Sequence, residues 1–399
     1  MLYTKPITLF VVSYLFLSHI VSAASPVFVD ANYTSTTDDT HTFGVDAFKT
    51  IGEAIQAVDV DGIIYIKKGI YNEALTIEKS LSLTGLAEQS VMGATTESPT
   101  IDGGNALGTI FIRGSSTPIK VSIYNLHINR GNHGVLVIQD AKVLITNNTI
   151  ENYTKNGVTF GSKVIKGEGK ISGTIRSNTI RGAGKTNILS QNGIQVADNN
   201  TAIITENTIS DHIYTRPGTI WATGILLHNS SNVTASKNIL INNQAGINIL
   251  QANNITLEDN TIIGGTSTDA GIMVTTFDTK MRKATRNVIH RNIITGGYVG
   301  IWSSYAAGNR YTKNTISSTT QYGMYLWDTD SNTILDNTIN SVHANGRSGY
   351  GIALNGGDTQ STTIGSDSNY ISKNTVTDSD SSLYIANNSR KNVVVKNKF

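Results

Sequence analysis

The chain has 399 residues, of which 39% are hydrophobic and 15% charged, and its formal net charge is +2. This balance fits a folded protein, and the absence of a basic stripe argues against nucleic-acid binding. There is no cysteine, so packing and backbone hydrogen bonds alone must hold the fold together.

The first 23 residues have the pattern of a signal peptide. Lys5 supplies a positive charge, residues 9–17 are mostly apolar, and Val21, Ser22 and Ala23 form a small-residue cleavage site. The apolar run is too short to cross a membrane, and no later run is long enough. We therefore expect a secreted, periplasmic or cell-surface protein without a membrane span, in which residues 24–399 form one domain.

Residues 24–104 predict an N-terminal cap with the first coils of a sheet. A short strand is expected at residues 27–29, and Ile51, Ile55 and Val58 follow helical spacing. Three strand-like runs come next, at residues 63–66, 74–77 and 81–83. A repetitive sheet needs such a cap because its end coil otherwise exposes core residues and unpaired backbone.

Two short phrases alternate along residues 105–399. One is Gly followed by Ile, Val or Met, and it begins at Gly134, Gly157, Gly193, Gly224, Gly246, Gly271, Gly300, Gly323 and Gly351. The other is Asn, then Thr or Ile, then an aliphatic residue, and it begins at Asn148, Asn178, Asn207, Asn238, Asn260, Asn292, Asn314, Asn337 and Asn374. A constant step between two phrases is an internal repeat.

The length of the repeat indicates its architecture. From Gly224 to Asn238 and from Gly246 to Asn260 the step is 14 residues, and from Asn238 to Asn260 it is 22. Three short strands and three turns use up that length. The sequence therefore predicts an all-β fold, a single-stranded right-handed parallel β-helix of about 10–12 coils with a short N-terminal capping helix.

The asparagine of each repeat is expected at a corner of the coil. Asparagine tolerates positive φ better than most residues, and a stacked side-chain amide can bond to the asparagines above and below it. We therefore predict positive φ at these residues and an asparagine ladder along the stack.

These phrases resemble those of the pectin-lyase-like right-handed β-helix superfamily, and in particular its carbohydrate-binding and sugar-hydrolysis repeats. The cap, with residues 48–51 and 66–71, resembles the N-terminal part of pectin methylesterases. The resemblance implies the fold and a polysaccharide substrate or ligand. The chain lacks the Asp-Pro-His motif of alginate epimerases and the Asn-Thr-Asp motif of polygalacturonases, so it does not imply those activities.

Insertions between Asn and the next Gly mark one corner of the coil as a candidate site. The distance is 8 residues from Asn238 to Gly246 but 17 from Asn207 to Gly224. Loops on a rigid scaffold often carry function. The two longest loops lie on adjacent coils and contain Arg181 and Lys185 in one, and Asp211, His212, Tyr214, Arg216 and Trp221 in the other. An ordinary solvated loop with Asp211 capping a turn is the alternative.

A second set of candidates lies on the Gly-Ile strand. Residues two and four places after each Gly should face outward, so Trp302, Tyr325 and Trp327 should cluster, and exposed aromatic rings are natural sugar platforms. The substrate-binding prediction also includes His228, Tyr305, Asp328, and Lys280 and Arg282 in a basic insertion. The alternatives are that the insertion before Gly351 covers the rings, and that the basic insertion is a solvated loop.

The sequence is compatible with three functions. The favoured one is a lyase or C5-epimerase acting on a uronate glycan, with His212 or Tyr214 as base or acid, Arg216 neutralising the carboxylate, and Asp211 orienting His212. A hydrolase would use a carboxylate pair, Asp211 with Asp198 or Asp328 with Asp330. The third is a non-catalytic glycan-binding protein. No cofactor is required; the sequence leaves room for Ca²⁺ and otherwise predicts no metal site.

Overall fold

The computed structural model describes residues 25–35, 40–86, 97–161, 169–216, 220–277, 284–344, 349–356 and 365–399. In these residues the chain winds through three long sheets, sheet A with 15 strands and sheets B and C with 12 each. All strands pair in parallel, and each pairs with the strand one coil away. This is the predicted parallel β-helix. The signal-peptide prediction lies outside the described residues.

The strands of sheet A are Val27–Val29, Ala47–Phe48, Gly62–Ile66, Leu81–Gly85, Ile119–Tyr124, Ala141–Thr146, Ile171–Arg176, Thr201–Thr205, Thr234–Ser236, Thr256–Glu258, Val288–His290, Arg310–Thr312, Thr333–Leu335, Tyr370–Ser372 and Val393–Val395. Those of sheet B are Ile70–Tyr71, Thr100–Asp102, His127–Asn129, Thr149–Glu151, Thr179–Thr186, Thr208–Tyr214, Ile239–Ile241, Thr261–Ile263, Ile293–Thr295, Thr315–Ser317, Thr338–Val342 and Thr375–Ser379. Those of sheet C are Leu75–Ile77, Gly108–Arg113, His133–Ile138, Asn156–Phe160, Asn192–Ala197, Thr223–His228, Ala245–Leu250, Ala270–Thr275, Val299–Ser304, Tyr322–Trp327, Tyr350–Asn355 and Ser381–Ile385. A two-stranded sheet joins Ala284–Thr285 to Ala306–Ala307.

The predicted capping helix spans Ile51–Ala57. It begins with a capping box, in which the Thr50 side chain accepts from the Glu53 backbone N–H and the Glu53 side chain accepts from the Thr50 backbone N–H. The carboxylate of Glu73 accepts the backbone N–H groups of Ile51 and Gly52. The first turn of the helix is thus satisfied, and its apolar face is buried against the first strands.

The core is the interior of the coil. Along each strand alternate residues point inward, as with Ile225 and Leu227, which are fully buried while Leu226 between them is half-buried. The inward residues of successive coils stack into one apolar cluster that runs from Val27 to Val376. Because each coil packs on its neighbours, the sheet registers fix where every outward side chain lies.

The predicted asparagine ladder is present. The side-chain oxygen of Asn260 accepts the backbone N–H and the side-chain amide of Asn238, and its own amide donates to Ala235 O and to Asn292 Oδ1. The same pattern continues through Asn148, Asn178, Asn207, Asn292, Asn314, Asn337 and Asn374, all buried. Each amide satisfies backbone groups that the corner would otherwise leave unpaired.

The prediction of positive φ at these asparagines is wrong. The left-handed conformation belongs to the residue just before each one, for example Lys237 (φ 55°), Asp259 (φ 56°) and Arg291 (φ 52°). The preceding residue makes the turn and points outward, and the asparagine that follows is thereby aimed inward at the backbone of the coil behind it.

A second ladder escaped the sequence analysis. Asn287, Asn309, Asn332 and Asn369 stack at the corner between sheets C and A, and each side-chain oxygen accepts the backbone N–H of the preceding rung or coil. The signal for it was present, because these residues lie five positions before the first-ladder asparagines of the same coils.

Candidate functional site

The two longest insertions extend sheet B outward. Thr179–Thr186 and Thr208–Tyr214 pair along their length, with Lys185 opposite Ile213 and Thr186 opposite Tyr214. The loops on adjacent coils therefore lie side by side, as the sequence predicted. The register shifts between Arg181 and Gly184, which is a β-bulge.

The bulge turns His212 into the coil. Asp211 adopts φ 66°, so the alternation of inward and outward residues shifts at this point and His212 becomes fully buried. Its Nδ1 donates to Asn243 Oδ1 at 2.7 Å, and its Nε2 accepts from the Tyr153 hydroxyl. Glycine leaves room for the ring, because a Cβ at Gly182 would lie 2.9 Å from His212 Cδ2.

Burial controls the ionisation of this interior pair. Desolvation lowers the pKa of His212 to about 4, against smaller opposing effects of Asn243 and Asp211. Burial also raises the pKa of Tyr153 well above its ordinary value. The imidazole is therefore neutral and satisfied inside the coil. Its position lends no support to the predicted role as a base acting on a glycan.

The other predicted catalytic residues lie outside the coil. The carboxylate of Asp211 accepts from Ser210 Oγ at 2.8 Å and from Asn242 Nδ2 at 2.9 Å, which occupies both oxygens. Tyr214 is half-buried and Arg216 exposed at the end of the sheet B extension. The structure therefore separates His212 from the neighbours with which it was predicted to act.

The basic residues of the first loop point to solvent. Lys185 is exposed, and the Arg181 guanidinium lies 3.9 Å from the Glu151 carboxylate of the previous coil. An exposed pair of this kind contributes little to stability. Lys280 and Arg282, the candidates from the basic insertion, lie outside the described residues.

Gln244 organises the end of the extension, a role that the sequence analysis missed. Its Oε1 accepts the backbone N–H groups of Tyr214 and Ala222, and its Nε2 donates to Asp269 Oδ2 at 3.0 Å. One side chain thus joins both ends of the 214–222 loop to a carboxylate on the next coil.

The predicted cluster of Trp302, Tyr325 and Trp327 is present on the outer face of sheet C. Trp302 is directly opposite Tyr325, and their ring centroids are 6.2 Å apart. Trp327 contacts Tyr325 edge-on at 5.8 Å. Counting two and four residues from each repeat glycine therefore gave the correct neighbours.

The cluster continues in both directions along the stack. We call it the aromatic series, and its rings are Trp221, Tyr298, Trp302, Tyr322, Tyr325, Trp327, Tyr350 and Tyr384. Trp221, predicted near the second loop, reaches Trp302 edge-on at 6.0 Å, and Tyr350 joins Tyr322 to Tyr384. Residues 345–348 of the insertion that was considered as a cover lie outside the description.

Two donors within the series have no partner among the described residues. They are the buried indole Nε1 atoms of Trp302 and Trp327. An unpaired buried N–H is costly, and native proteins keep few of them. Tyr384 and Tyr298 are the most open rings, at 42% and 45% exposed.

The remaining predicted binding residues border this face. His228 is half-buried at the end of its sheet C strand, in register with Leu250. Tyr305 and Asp328 each follow a sheet C strand with φ near 50°, Tyr305 half-buried and Asp328 buried. They lie at the far corner of the coil from Tyr214.

Neither predicted carboxylate pair forms an open cleft. Asp211 is on sheet B, whereas Asp198 lies in the turn that follows a sheet C strand, so the coil places them at different corners. Asp328 is 1% exposed, and Asp330 Oδ1 accepts the Asp367 backbone N–H. The geometry gives the hydrolase hypothesis no support.

No set of three or more His, Cys, Asp or Glu side chains in the described parts of the chain is placed to hold a metal ion. The whole chain has no cysteine, and Met273 and Met324 are buried apolar packing residues. Ca²⁺ stays a prediction. Over the same described ranges, none of the helices has the length and apolar character to cross a membrane.

Several solved structures share this architecture. The periplasmic alginate epimerase AlgG is 15% identical with a TM-score of 0.57, covering 90% of this chain and 85% of its own. The DFA-IIIase from Arthrobacter chlorophenolicus A6 in complex with GF2 is 13% identical with a TM-score of 0.50, over 94% and 98%. The pre-mature bacteriophage phi29 gene product 12 is 12% identical with a TM-score of 0.59, over 83% and 48%. At these identities the likeness shows the fold alone.

No curated protein sequence matches the chain. A family model described as "Periplasmic copper-binding protein (NosD)" matches residues 166–366 and 269–399, which together exceed half of the chain. The described residues do not fit a copper site, because copper needs several ligands around one point and no set of three or more His, Cys, Asp or Glu side chains supplies them there. The repeats that carry the asparagine ladder and the aromatic series are nonetheless those of this family, and the chain belongs to the NosD family of right-handed β-helix proteins.

Proposed function

We propose that this protein binds a polysaccharide chain along the outer face of sheet C, outside the cytoplasm. The observation that carries the proposal is the aromatic series. Its rings follow one another over several coils at centroid separations of 4.4–6.4 Å, for example between Tyr322 and Tyr325 and between Tyr298 and Tyr322.

Aromatic rings suit this role because the faces of pyranose rings are apolar. A ring buries apolar area while the sugar hydroxyls stay available for hydrogen bonds at its edge. A row of rings fixed on a sheet offers several such contacts to one extended chain. It does so without ordering a flexible loop, which would cost conformational entropy.

The periplasmic description of the family and the polysaccharide enzymes among the structural neighbours agree with this proposal.

The test is a titration of the mature protein with alginate, polygalacturonate and neutral glucan and mannan oligosaccharides, followed by calorimetry and by tryptophan fluorescence. Tyr384→Ala is expected to weaken binding about tenfold, the loss of one stacking contact. Tyr370→Ala is the matched control, because Tyr370 is also 42% exposed but lies on sheet A.

Binding of one polymer class that weakens in Tyr384→Ala and in Trp302→Ala, but not in Tyr370→Ala, supports the proposal. A wild-type protein that binds none of these glycans overturns it. So does binding that is equally sensitive to the sheet A control, because the contact surface would then lie elsewhere.

A lyase or C5-epimerase acting on a uronate glycan is the second candidate. It is favoured by the hydrogen-bonded connection from Tyr214 through Gln244 to Asp269, since Gln244 accepts from the Tyr214 backbone and donates to Asp269. These hydrogen bonds attach the segment that carries Tyr214 and Arg216 to residues of the next two coils. In this version Tyr214 moves the C5 proton and Arg216 neutralises the uronate carboxylate, while His212 has no part.

This candidate is tested by ultraviolet absorbance of unsaturated ends and by proton NMR of the polymer after incubation. Turnover that disappears in Tyr214→Phe and persists in Tyr370→Phe supports it. Wild-type protein that binds uronate polymers and leaves both signals unchanged rules the enzyme out and leaves the binding function standing.

A further inference from the structure

An open pocket of about 540 Å³ lies at the corner between sheets B and C, beside the aromatic series. Its lining residues are Gly264, Gly265, Thr266, Thr268, Asp269, Gly297, Tyr298 and Thr320. They come from the turns of three successive coils. No residue of this pocket was selected by the sequence analysis.

The pocket contains one carboxylate in a fixed orientation. Asp269 Oδ2 accepts from Gln244 Nε2 at 3.0 Å, and the Asp269 backbone N–H donates to Gln244 O at 2.8 Å. Gln244 is itself held by the Tyr214 and Ala222 backbone N–H groups. No described residue donates to Oδ1, the second oxygen of Asp269. The site thus presents a preorganised acceptor.

Tyr298 is the aromatic residue of this pocket. Tyr298 is 45% exposed, lines the pocket, and meets Tyr322 of the aromatic series edge-on at a centroid separation of 6.4 Å. Gly297, which also lines the pocket, adopts φ 85°, a conformation that a residue with a side chain rarely takes.

We infer that this pocket is a subsite for a neutral pyranose unit, which stacks on Tyr298 and donates a hydroxyl hydrogen bond to Asp269 Oδ1. The inference rests on the proposed polysaccharide binding and adds a specificity to it. A carboxylate acceptor strengthens a hydrogen bond from a hydroxyl. The same charge repels the carboxylate of a uronate unit, so this subsite selects against acidic sugars.

The test compares Asp269→Asn with Asp336→Asn by calorimetric titration with neutral gluco- and manno-hexasaccharides and with oligogalacturonate. Asp336 is a half-buried turn residue on the sheet A side and serves as the matched control. Asp269→Asn keeps the shape and an acceptor for Gln244. We expect about tenfold weaker binding of the neutral oligosaccharide that the wild type binds best, and unchanged or tighter binding of oligogalacturonate.

Tyr298→Ala provides a second variant that does not touch the Gln244 contact, and it should weaken the same neutral ligand by a similar factor. Unchanged neutral binding in both variants, with binding still lost in Tyr384→Ala, overturns the subsite and leaves the proposed function intact. A loss in Asp269→Asn that is equal for neutral and acidic oligosaccharides overturns the selectivity. A wild-type protein that binds no glycan removes both proposals.

Discussion

The asparagine ladder and the aromatic series both run along the stack of coils, yet they differ in how completely their polar groups and surfaces are satisfied. In the ladder, Asn260 satisfies its amide through Ala235 and Asn292 and supplies the acceptor for Asn238. In the series, every ring except the buried Tyr325 stays partly exposed, and the indole N–H groups of Trp302 and Trp327 have no partner among the described residues. A column that satisfies itself stabilises the coil, whereas one that leaves contacts unmade is suited to an outside partner.

The largest expected effect comes from breaking the ladder. Asn260→Ala removes the acceptor for the Asn238 backbone N–H and the donor to Ala235 O, deep in the stack. Two or three buried groups are left unpaired, so we expect a loss of about 3–5 kcal/mol in the free energy of unfolding. Urea denaturation measures it. Asn105, an exposed turn residue, gives the control substitution, and a loss as small as that of Asn105→Ala would contradict the role of the ladder.

A smaller effect on the free energy of unfolding is expected when the pH is lowered, and it arises from His212 inside the coil. The pKa of His212 is lowered to about 4 by burial, so the unfolded chain, with an ordinary histidine pKa of about 6.5, binds the proton first. The stability contributed by neutral His212 is complete above pH 6.5 and is lost as the pH falls toward 4. Between pH 7 and pH 5 the loss is about 2 kcal/mol.

The measurement is the pH dependence of the free energy of unfolding in wild type and in His212→Gln. Burial also lowers the pKa of His133 to about 4. Its contribution is common to both proteins and cancels in the difference. His343→Gln should act in the opposite direction. Hydrogen bonds to Asp380 and Asp378 raise the pKa of His343, so its stabilising contribution is present at low pH and lost as the pH rises. An identical pH dependence in His212→Gln and wild type would exclude the buried neutral imidazole.

The smallest effect on stability is expected from the aromatic series. Tyr384→Ala removes a ring that is 42% exposed and contacts Tyr350 at 5.2 Å. We expect a loss of no more than about 1 kcal/mol in the free energy of unfolding, close to that of Tyr370→Ala. Thermal unfolding checks this beside the binding assay. A collapse in stability would mean that the series is a packing element, and the contrast with the ladder would disappear.

The sequence predicted the features that follow from the constant length of the repeat. The Gly-Ile and Asn-x-Ile phrases give the strands, their parallel stacking and the asparagine ladder, because a constant step determines which residues are neighbours one coil apart. The same counting placed Trp302, Tyr325 and Trp327 together. It misassigned the positive φ because periodicity locates a corner without saying which of two adjacent residues makes the turn.

The errors arose where the repeat is interrupted. His212 faces inward because of a bulge between Arg181 and Gly184 on the neighbouring coil. The residue pattern around His212 does not predict this bulge. Asp269 was passed over because its partners lie on other coils. Yet Gln244, Asp269 and Tyr298 each come just before a sheet C strand, so the counting that found the aromatic cluster would also have found this pocket.

In-register parallel stacking has one more consequence. The backbone, and not the side chains, sets the distance between equivalent residues of successive coils, at about 4.8 Å. Equivalent outward positions on sheet C are therefore evenly spaced, and a substitution changes the side chain at one position without changing that spacing. Inserting or deleting a whole repeat would lengthen or shorten the outer face of the sheet by one position. The length of this surface can therefore change independently of the side chains that it presents.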